Sequence, residues 1–127
     1  MNVIDSSCWL EYFAGSNTGD RIAMAVEDIQ RLIVPTIVLY EVFKKLLVEL
    51  DEDSALLAIA HMKQGEVITL TPELAIYSAH IGKEFKLPMA DSIIYATSRK
   101  FNAVLWTQDQ HFETLDFVQY FPKVKNQ

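Results

Sequence analysis

Short apolar runs that alternate with longer stretches of helical periodicity constrain the fold of this chain more than any other feature. Residues 2–4, 32–34, 67–70, 103–106 and 117–118 are predicted strands, the last of them weak. Between them, apolar residues recur every three or four positions, which predicts helices. Strands that alternate with helices are typical of an α/β fold. We therefore expect a three-layer α/β domain, with a central parallel sheet of about four or five short strands flanked by helices.

The length and composition of the chain fit one domain. Half of its 127 residues are hydrophobic, enough for a core, and no linker or repeat divides them, so we expect a single domain over residues 1–127. No signal-peptide pattern opens the chain, and no apolar run approaches the roughly 20 residues of a membrane span. The lone cysteine, Cys8, allows no internal disulfide. These features predict a cytoplasmic protein without membrane contacts.

The net charge of −6 counts against a nucleic acid as ligand, because a protein that binds nucleic acid must neutralise phosphates. Acidic residues that surround a cation would reverse the local field and weaken this objection. Two adjacent basic pairs, Lys44–Lys45 and Arg99–Lys100, are either solvated helix faces or contacts to RNA. Charge by itself leaves both interpretations open.

Two acids directly follow predicted strands. Asp5 comes after residues 2–4, and Asp109 comes just after residues 103–106. The carboxyl ends of parallel strands share one edge of the sheet, which is where ligands bind in open α/β folds. Neither acid is needed there for folding, since we expect Ser6 or Ser7 to cap the following helix. The two acids therefore predict the beginning of a site.

Two further acids lie on predicted helices. Asp91 opens the helix before the strand at 103–106, so it is either a dipole partner worth about 1 kcal/mol or a residue at the same sheet edge. Glu41 falls opposite the apolar side of the helix predicted for residues 37–50. Periodicity alone favours an ordinary solvated glutamate at that position.

A cluster of acids without a cysteine or histidine partner is typical of a site for hard cations such as Mg²⁺ or Mn²⁺. His61, His80 and His111 show no zinc-like spacing. His111 is close to Asp109 in the sequence, which makes it a candidate for contact with a substrate. Cys8 is interpreted as a buried, inert thiol. No glycine-rich phosphate-binding motif is present.

Four segments, in this order, resemble the four motifs of PIN-domain ribonucleases. They are residues 3–11 (VIDSSCWLE), 35–42 (PTIVLYEV), 87–98 (LPMADSIIYATS) and 106–112 (WTQDQHF). One such motif is weak support, but the four together extend over nearly the whole chain. The small size is similar to that of VapC-type toxins of toxin–antitoxin pairs.

The resemblance implies specific residues for a catalytic, metal-holding site: Asp5, Glu41, Asp91 and Asp109. Asp5, Asp91 and Asp109 would bind one or two Mg²⁺ (or Mn²⁺) ions most directly, and Glu41 would bind metal or orient the attacking water. Ser6 and Thr107 match positions that support the acids through hydrogen bonds. The reaction implied is hydrolysis of RNA by a metal-activated water. The partners implied are a second copy of the chain, in a homodimer, and a cognate antitoxin protein.

Two alternatives remain open beside the ribonuclease. One is an α/β binding module with a Mg²⁺-binding acidic pocket, as in receiver-like domains. That class usually has adjacent acids and a lysine after a strand, whereas Asp5 is followed by two serines. The other is an inactive PIN fold that acts only through protein contacts, against which the presence of all four acids argues.

Overall fold

A five-stranded parallel sheet flanked by helices forms the centre of the protein in the computed structural model, which describes residues 1–124. The strands are β1 (Asn2–Ile4), β2 (Leu32–Pro35), β3 (Glu66–Ile68), β4 (Val104–Thr107) and β5 (Val118–Tyr120). The helices are α1 (Ser6–Ala14), α2 (Asn17–Glu27), α3 (Thr36–Glu49), α4 (Glu52–Met62), α5 (Pro72–Phe85) and α6 (Met89–Lys100). Short 3₁₀ helices span Ile29–Arg31 and Gln110–Phe112. The last three residues of the expected domain, 125–127, lie outside the described residues.

The strand order of the sheet is β3-β2-β1-β4-β5, and every pair is parallel. Strand β1 is central, with Asn2 opposite both Leu32 of β2 and Val104 of β4. Right-handed crossovers place α1 to α4 on one face and α5 and α6 on the other. The prediction of a parallel α/β fold with four or five strands is confirmed. Within residues 1–124, no helix combines the length and apolarity needed to cross a membrane.

The core lies on both faces of the three middle strands. Val3 and Ile4 of β1 are completely buried, as is Trp9 of α1, whose ring stacks on Phe13 at 5.6 Å between centroids. Covered faces on both sides explain why these strands are continuous apolar runs and not alternating ones. Cys8 belongs to this core, and burial raises the pKa of its thiol to about 12. An inert thiol, as predicted, follows from that pKa.

The start of α1 differs from the prediction. Asp5, not Ser6 or Ser7, is the N-cap: its backbone is extended, with φ −65° and ψ 154°, and its side chain accepts a hydrogen bond from the Ser6 backbone N–H. The helix begins directly after the one residue that separates it from β1, so only Asp5 can occupy the cap position. Asp109 caps the 3₁₀ helix Gln110–Phe112, and its side chain accepts a hydrogen bond from the His111 backbone N–H. Both acids therefore have a local folding role, and the prediction that neither is needed for folding is wrong.

The last strand is longer and later than predicted. It spans Val118–Tyr120, whereas Phe117, expected to open it, has a left-handed backbone with φ +63°. Thr107 of β4 lies opposite Tyr120 in the parallel register. Because β4 and β5 run in parallel, the chain leaves β5 at the carboxyl edge of the sheet, where Asp5 and Asp109 lie.

Candidate active site

A cleft of about 680 Å³ opens at the carboxyl edge of the sheet. The acids that line it are Asp5 after β1, Glu41 on α3, Asp91 in the first turn of α6 and Asp109 after β4. From β1 the chain proceeds toward β2, while β4 lies on its other side, so the strand order reverses here and leaves a crevice. The structure thus brings together all four acids named from the sequence, and their chemical roles stay predictions.

Asp5 is held rigidly at the bottom of this cleft. Its Oδ1 accepts from the Ser6 backbone N–H at 2.9 Å, and its Oδ2 accepts from the hydroxyls of Thr107 at 2.8 Å and Ser7 at 3.1 Å. Asp5 as a whole is 4% exposed. Burial raises its pKa most strongly, the three hydrogen bonds oppose the rise, and the charge of Asp109 adds to it.

The hydroxyl of Thr107 connects two of the acids. It donates to Asp5 Oδ2 and accepts from the Asp109 backbone N–H at 2.9 Å. Ser6 supports Asp5 through its backbone N–H and not through its hydroxyl, which instead lowers the pKa of Glu41. Ser7 was not predicted as a site residue, but its hydroxyl also accepts from the Gln108 backbone N–H at 3.2 Å. The signal was available, since a hydroxyl two residues after a cap can reach back to the side chain of the cap.

Glu41 is not the solvated glutamate that helix periodicity favoured. Its Oε1 atom is buried and has no hydrogen-bond partner among residues 1–124. Burial raises its pKa, and the charges of the other three acids raise it further. Helix periodicity missed this because Glu41 lies where α3 contacts α6, so part of its side chain is buried although Lys44 and Lys45 on the same side of the helix stay exposed.

His111 bridges Asp91 and Asp109. Its Nδ1 lies 2.8 Å from Asp91 Oδ2 and 3.1 Å from Asp109 Oδ1. Burial and the charge of Asp109 raise the pKa of Asp91 to about 6, against the effect of the hydrogen bond to His111. The same hydrogen bond and the Asp109 charge raise the pKa of His111. One potential ligand atom from each of these three residues lies within 4.8 Å of the others.

The donor set of the cleft fits a divalent cation. Asp5, Glu41 and Asp91 all have raised pKa values, and each is raised in part by the other acids. The unpartnered Oε1 of Glu41 is a buried acceptor that lacks a positive group. Carboxylate oxygens are the ligands that Mg²⁺ prefers, and Mn²⁺ accepts the same set together with an imidazole such as that of His111.

The metal-free protein should become more stable as the pH falls from about 8 to about 5. The raised pKa values of Asp5, Glu41 and Asp91 make the folded chain take up protons that the unfolded chain binds only at lower pH; for Asp91 the window is 3.8 to about 6. The raised pKa of His111 acts in the same direction, because its stabilising charge is lost as the pH rises through that pKa. Urea unfolding in EDTA across this interval measures the effect, and a steady loss of stability on acidification would contradict it.

Replacement of Thr107 by valine should destabilise the protein by about 1–3 kcal/mol, because it leaves a buried Asp5 oxygen and the Asp109 N–H without their partner. Thr107→Ser is the matched control, since it keeps the hydroxyl and removes only a methyl group. Denaturant unfolding of both variants in EDTA gives the comparison. Equal stabilities for the two variants would mean that the hydroxyl contributes nothing.

Several solved structures have the same fold. A chain in a toxin–antitoxin complex from Klebsiella pneumoniae superposes with a TM-score of 0.79 at 20% identity, over 94% of this chain and 96% of that one. VapC20 of Mycobacterium tuberculosis, a toxin that cleaves the sarcin–ricin loop, superposes with a TM-score of 0.75 at 20% identity, over 93% of this chain and 97% of that one. A chain of VapBC2 of Rickettsia felis, bound to a promoter DNA fragment, superposes with a TM-score of 0.72 at 12% identity, over 95% of this chain and 97% of that one. At these identities the likeness is one of fold.

The family is shown by the sequence itself. No curated protein matches the chain significantly. The family model of the PIN domain matches residues 3–118, which include all four acids of the cleft and at least part of every strand. The fold and this match agree with the resemblance of the four motifs, and the chain belongs to the PIN domain family.

Proposed function

We propose that this protein is a metal-dependent endoribonuclease that hydrolyses RNA phosphodiester bonds. The observation that supports this most is the meeting of four carboxylates from separate segments in one cleft, with the buried Oε1 of Glu41 lacking a partner. PIN-family membership supports nuclease chemistry for the same cleft. Folding alone does not account for this concentration of charge, because the acids raise one another's pKa values.

In this proposal Asp5, Asp91 and Asp109 hold one or two Mg²⁺ (or Mn²⁺) ions, and Glu41 binds an ion or orients the attacking water. When bound, the ion would acidify a water molecule and offset the charge that develops on the scissile phosphate. Asp5 is suited to its role because three hydrogen bonds already fix its orientation. Glu41 Oε1 has a free acceptor position with which to align a water.

His111 would act as a proton-dependent competitor of the ion. In the metal-free protein its ring contacts both Asp91 and Asp109, and its raised pKa favours the charged form. An ion held by those two acids would neutralise the same negative charge that protonated His111 neutralises in the metal-free protein. The ion and the proton on His111 would therefore compete. Mn²⁺ affinity measured by calorimetry should therefore fall as the pH is lowered from about 8 to about 6, and His111→Gln should reduce that dependence. An unchanged pH dependence in the variant would remove His111 from this role.

We further propose that the protein is the toxin of a toxin–antitoxin pair, with a cognate antitoxin and a second copy of itself as partners in the cytoplasm. The toxin–antitoxin complexes among structures of the same fold support this. So do exposed apolar residues on α3, on α4 and in the turn between them, where Val48 is 76%, Leu57 73% and Leu50 64% exposed. Apolar groups concentrated in this way are typical of protein-binding surfaces.

The experiment that tests the proposal is cleavage of a mixed RNA pool by the purified protein in Mg²⁺, Mn²⁺ or EDTA, beside the Asp5→Asn variant. Cleavage that requires the metal and disappears in the variant is the expected result. Cleavage that persists in EDTA would refute metal dependence. If no RNA is cut although calorimetry detects Mn²⁺ binding, the acidic-pocket binding module becomes the better hypothesis. If neither occurs, an inactive PIN fold does.

The toxin role has its own test, which is growth of a bacterial host after induced expression. The wild-type chain should arrest growth, whereas Asp5→Asn, expressed to the same level, should not. Arrest by both proteins would show that the effect does not depend on the acidic cleft. Light scattering of the purified protein reports whether it is a dimer.

A further inference from the structure

The C-terminal segment after β5 forms one wall of the acidic cleft. Tyr120, Pro122, Lys123 and Val124 line the same cavity as the four acids, and we call these residues the C-terminal wall. They lie outside the four motifs described above. They reach the cleft because β5 pairs in parallel with β4, with Tyr120 opposite Thr107.

The C-terminal wall is anchored to the residue that orders the acids. The Phe121 backbone N–H donates to the Thr107 carbonyl at 2.8 Å, and the Thr107 hydroxyl binds Asp5. The Phe121 side chain is buried and stacks on Trp106 with 5.9 Å between centroids, while the Arg21 guanidinium lies 4.7 Å from the Phe121 ring centre. Lys123 is two residues after Phe121, and two residues of extended chain span at most about 7 Å. Its backbone is therefore held close to the acids.

Lys123 carries a positive charge that no acidic side chain within residues 1–124 pairs with. Its side chain is exposed, and it forms no ion pair within residues 1–124. Among the same residues it is the only lysine or arginine that lines the cleft. Neither of the basic pairs noted in the sequence lines the cleft. One member of each is engaged elsewhere: Lys45 pairs with Glu49 at 2.9 Å, and Arg99 donates to the Ala103 carbonyl.

We propose that Lys123 binds an RNA phosphate next to the scissile one, an inference that rests on the proposed ribonuclease function. A chain with a net charge of −6 needs local positive charge to attract an RNA backbone. A lysine ammonium is a mobile point charge that contacts a phosphate without selecting a base. Lys123 thus positions the backbone, and sequence preference must come from other residues.

The test compares Lys123→Gln with Lys63→Gln, an exposed lysine after α4 that does not line the cleft. Lys123→Gln should reduce kcat/KM for RNA about twofold to fivefold, mainly through a higher KM. It should also make the dependence of log(kcat/KM) on log[salt] shallower by about 0.7, the value for one phosphate contact on a single strand. Lys123→Arg should restore most of the activity, and Lys63→Gln should behave as wild type.

RNA binding separates this inference from the proposed function. A labelled RNA oligonucleotide is titrated with Asp5→Asn protein, with and without Lys123→Gln, and weaker binding of the double variant is expected. Weaker binding would show that Lys123 contacts an RNA phosphate even if the wild type cuts no RNA, and the absence of cleavage would then count only against the proposed nuclease. Equal RNA binding and equal salt dependence would overturn the inference. Tighter Mn²⁺ binding and faster cleavage in Lys123→Gln would also overturn it, because Lys123 would then compete with the ion.

Discussion

Replacement of Asp91 by asparagine should reduce RNA cleavage by at least about 100-fold and also stabilise the metal-free protein. Asparagine has almost the same shape but carries no charge. The pKa of Asp91 is raised to about 6, so its ionisation at neutral pH opposes folding in the absence of metal. A shift of about two pKa units corresponds to at most roughly 3 kcal/mol. Loss of the contact with His111 offsets part of it, so we expect a gain of about 1–2 kcal/mol.

Urea unfolding with EDTA or Mn²⁺ distinguishes this effect from simple damage to the fold. Wild-type protein should gain stability with Mn²⁺, whereas Asp91→Asn should start higher in EDTA and gain little. Asp116→Asn is the matched control, because Asp116 is an exposed acid that does not line the cleft. If Asp91→Asn destabilised the metal-free protein, or kept the full response to Mn²⁺, the proposed metal role of Asp91 would be wrong.

Replacement of Gly19 by alanine should destabilise the protein by about 3 kcal/mol, although glycine to alanine usually strengthens an exposed helix by about 1 kcal/mol. Gly19 is inside α2, where α2 packs on α1. An added Cβ would lie 2.8 Å from both the Glu11 carbonyl carbon and the Tyr12 Cα, and closer still to the Glu11 oxygen. These atoms belong to the α1 backbone, so the two helices must separate.

Separation of α1 and α2 would also affect the cleft, because α1 begins at its cap, Asp5, and carries Ser7. Gly19→Ala should therefore weaken Mn²⁺ binding as well as lower the unfolding midpoint. Met24→Ala, on the same helix and 74% exposed in the wild type, is the control and should change stability little. A Gly19→Ala protein as stable as the wild type would show that the helices approach each other less closely than described.

The local sequence was sufficient for the fold and for half of the candidate site. Buried parallel strands are apolar runs and amphipathic helices have their own period, so the α/β order was predictable. Asp5 and Asp109 follow β1 and β4, and those strands are adjacent and parallel, so their acids had to meet at one edge. The cap of α1 was misplaced because serine and aspartate are nearly equal as N-caps, and only the end of β1 decides which one is used.

The tertiary structure decided the remainder. The periodicity of α3 shows only which of its residues face the nearest core. It could not show that α3 contacts α6 or that Glu41 Oε1 is buried. The contact between His111 and Asp91 joins residues twenty positions apart, across the cleft. Lys123 enters the cleft only because β5, a weak strand in the sequence, pairs with β4. The sequence by itself thus determined which segments form strands and helices and which acids end strands, because those depend on neighbouring residues. Which other side chains lie beside those acids depends on sheet order and helix packing. These arise only when segments distant in the sequence bury their surfaces together.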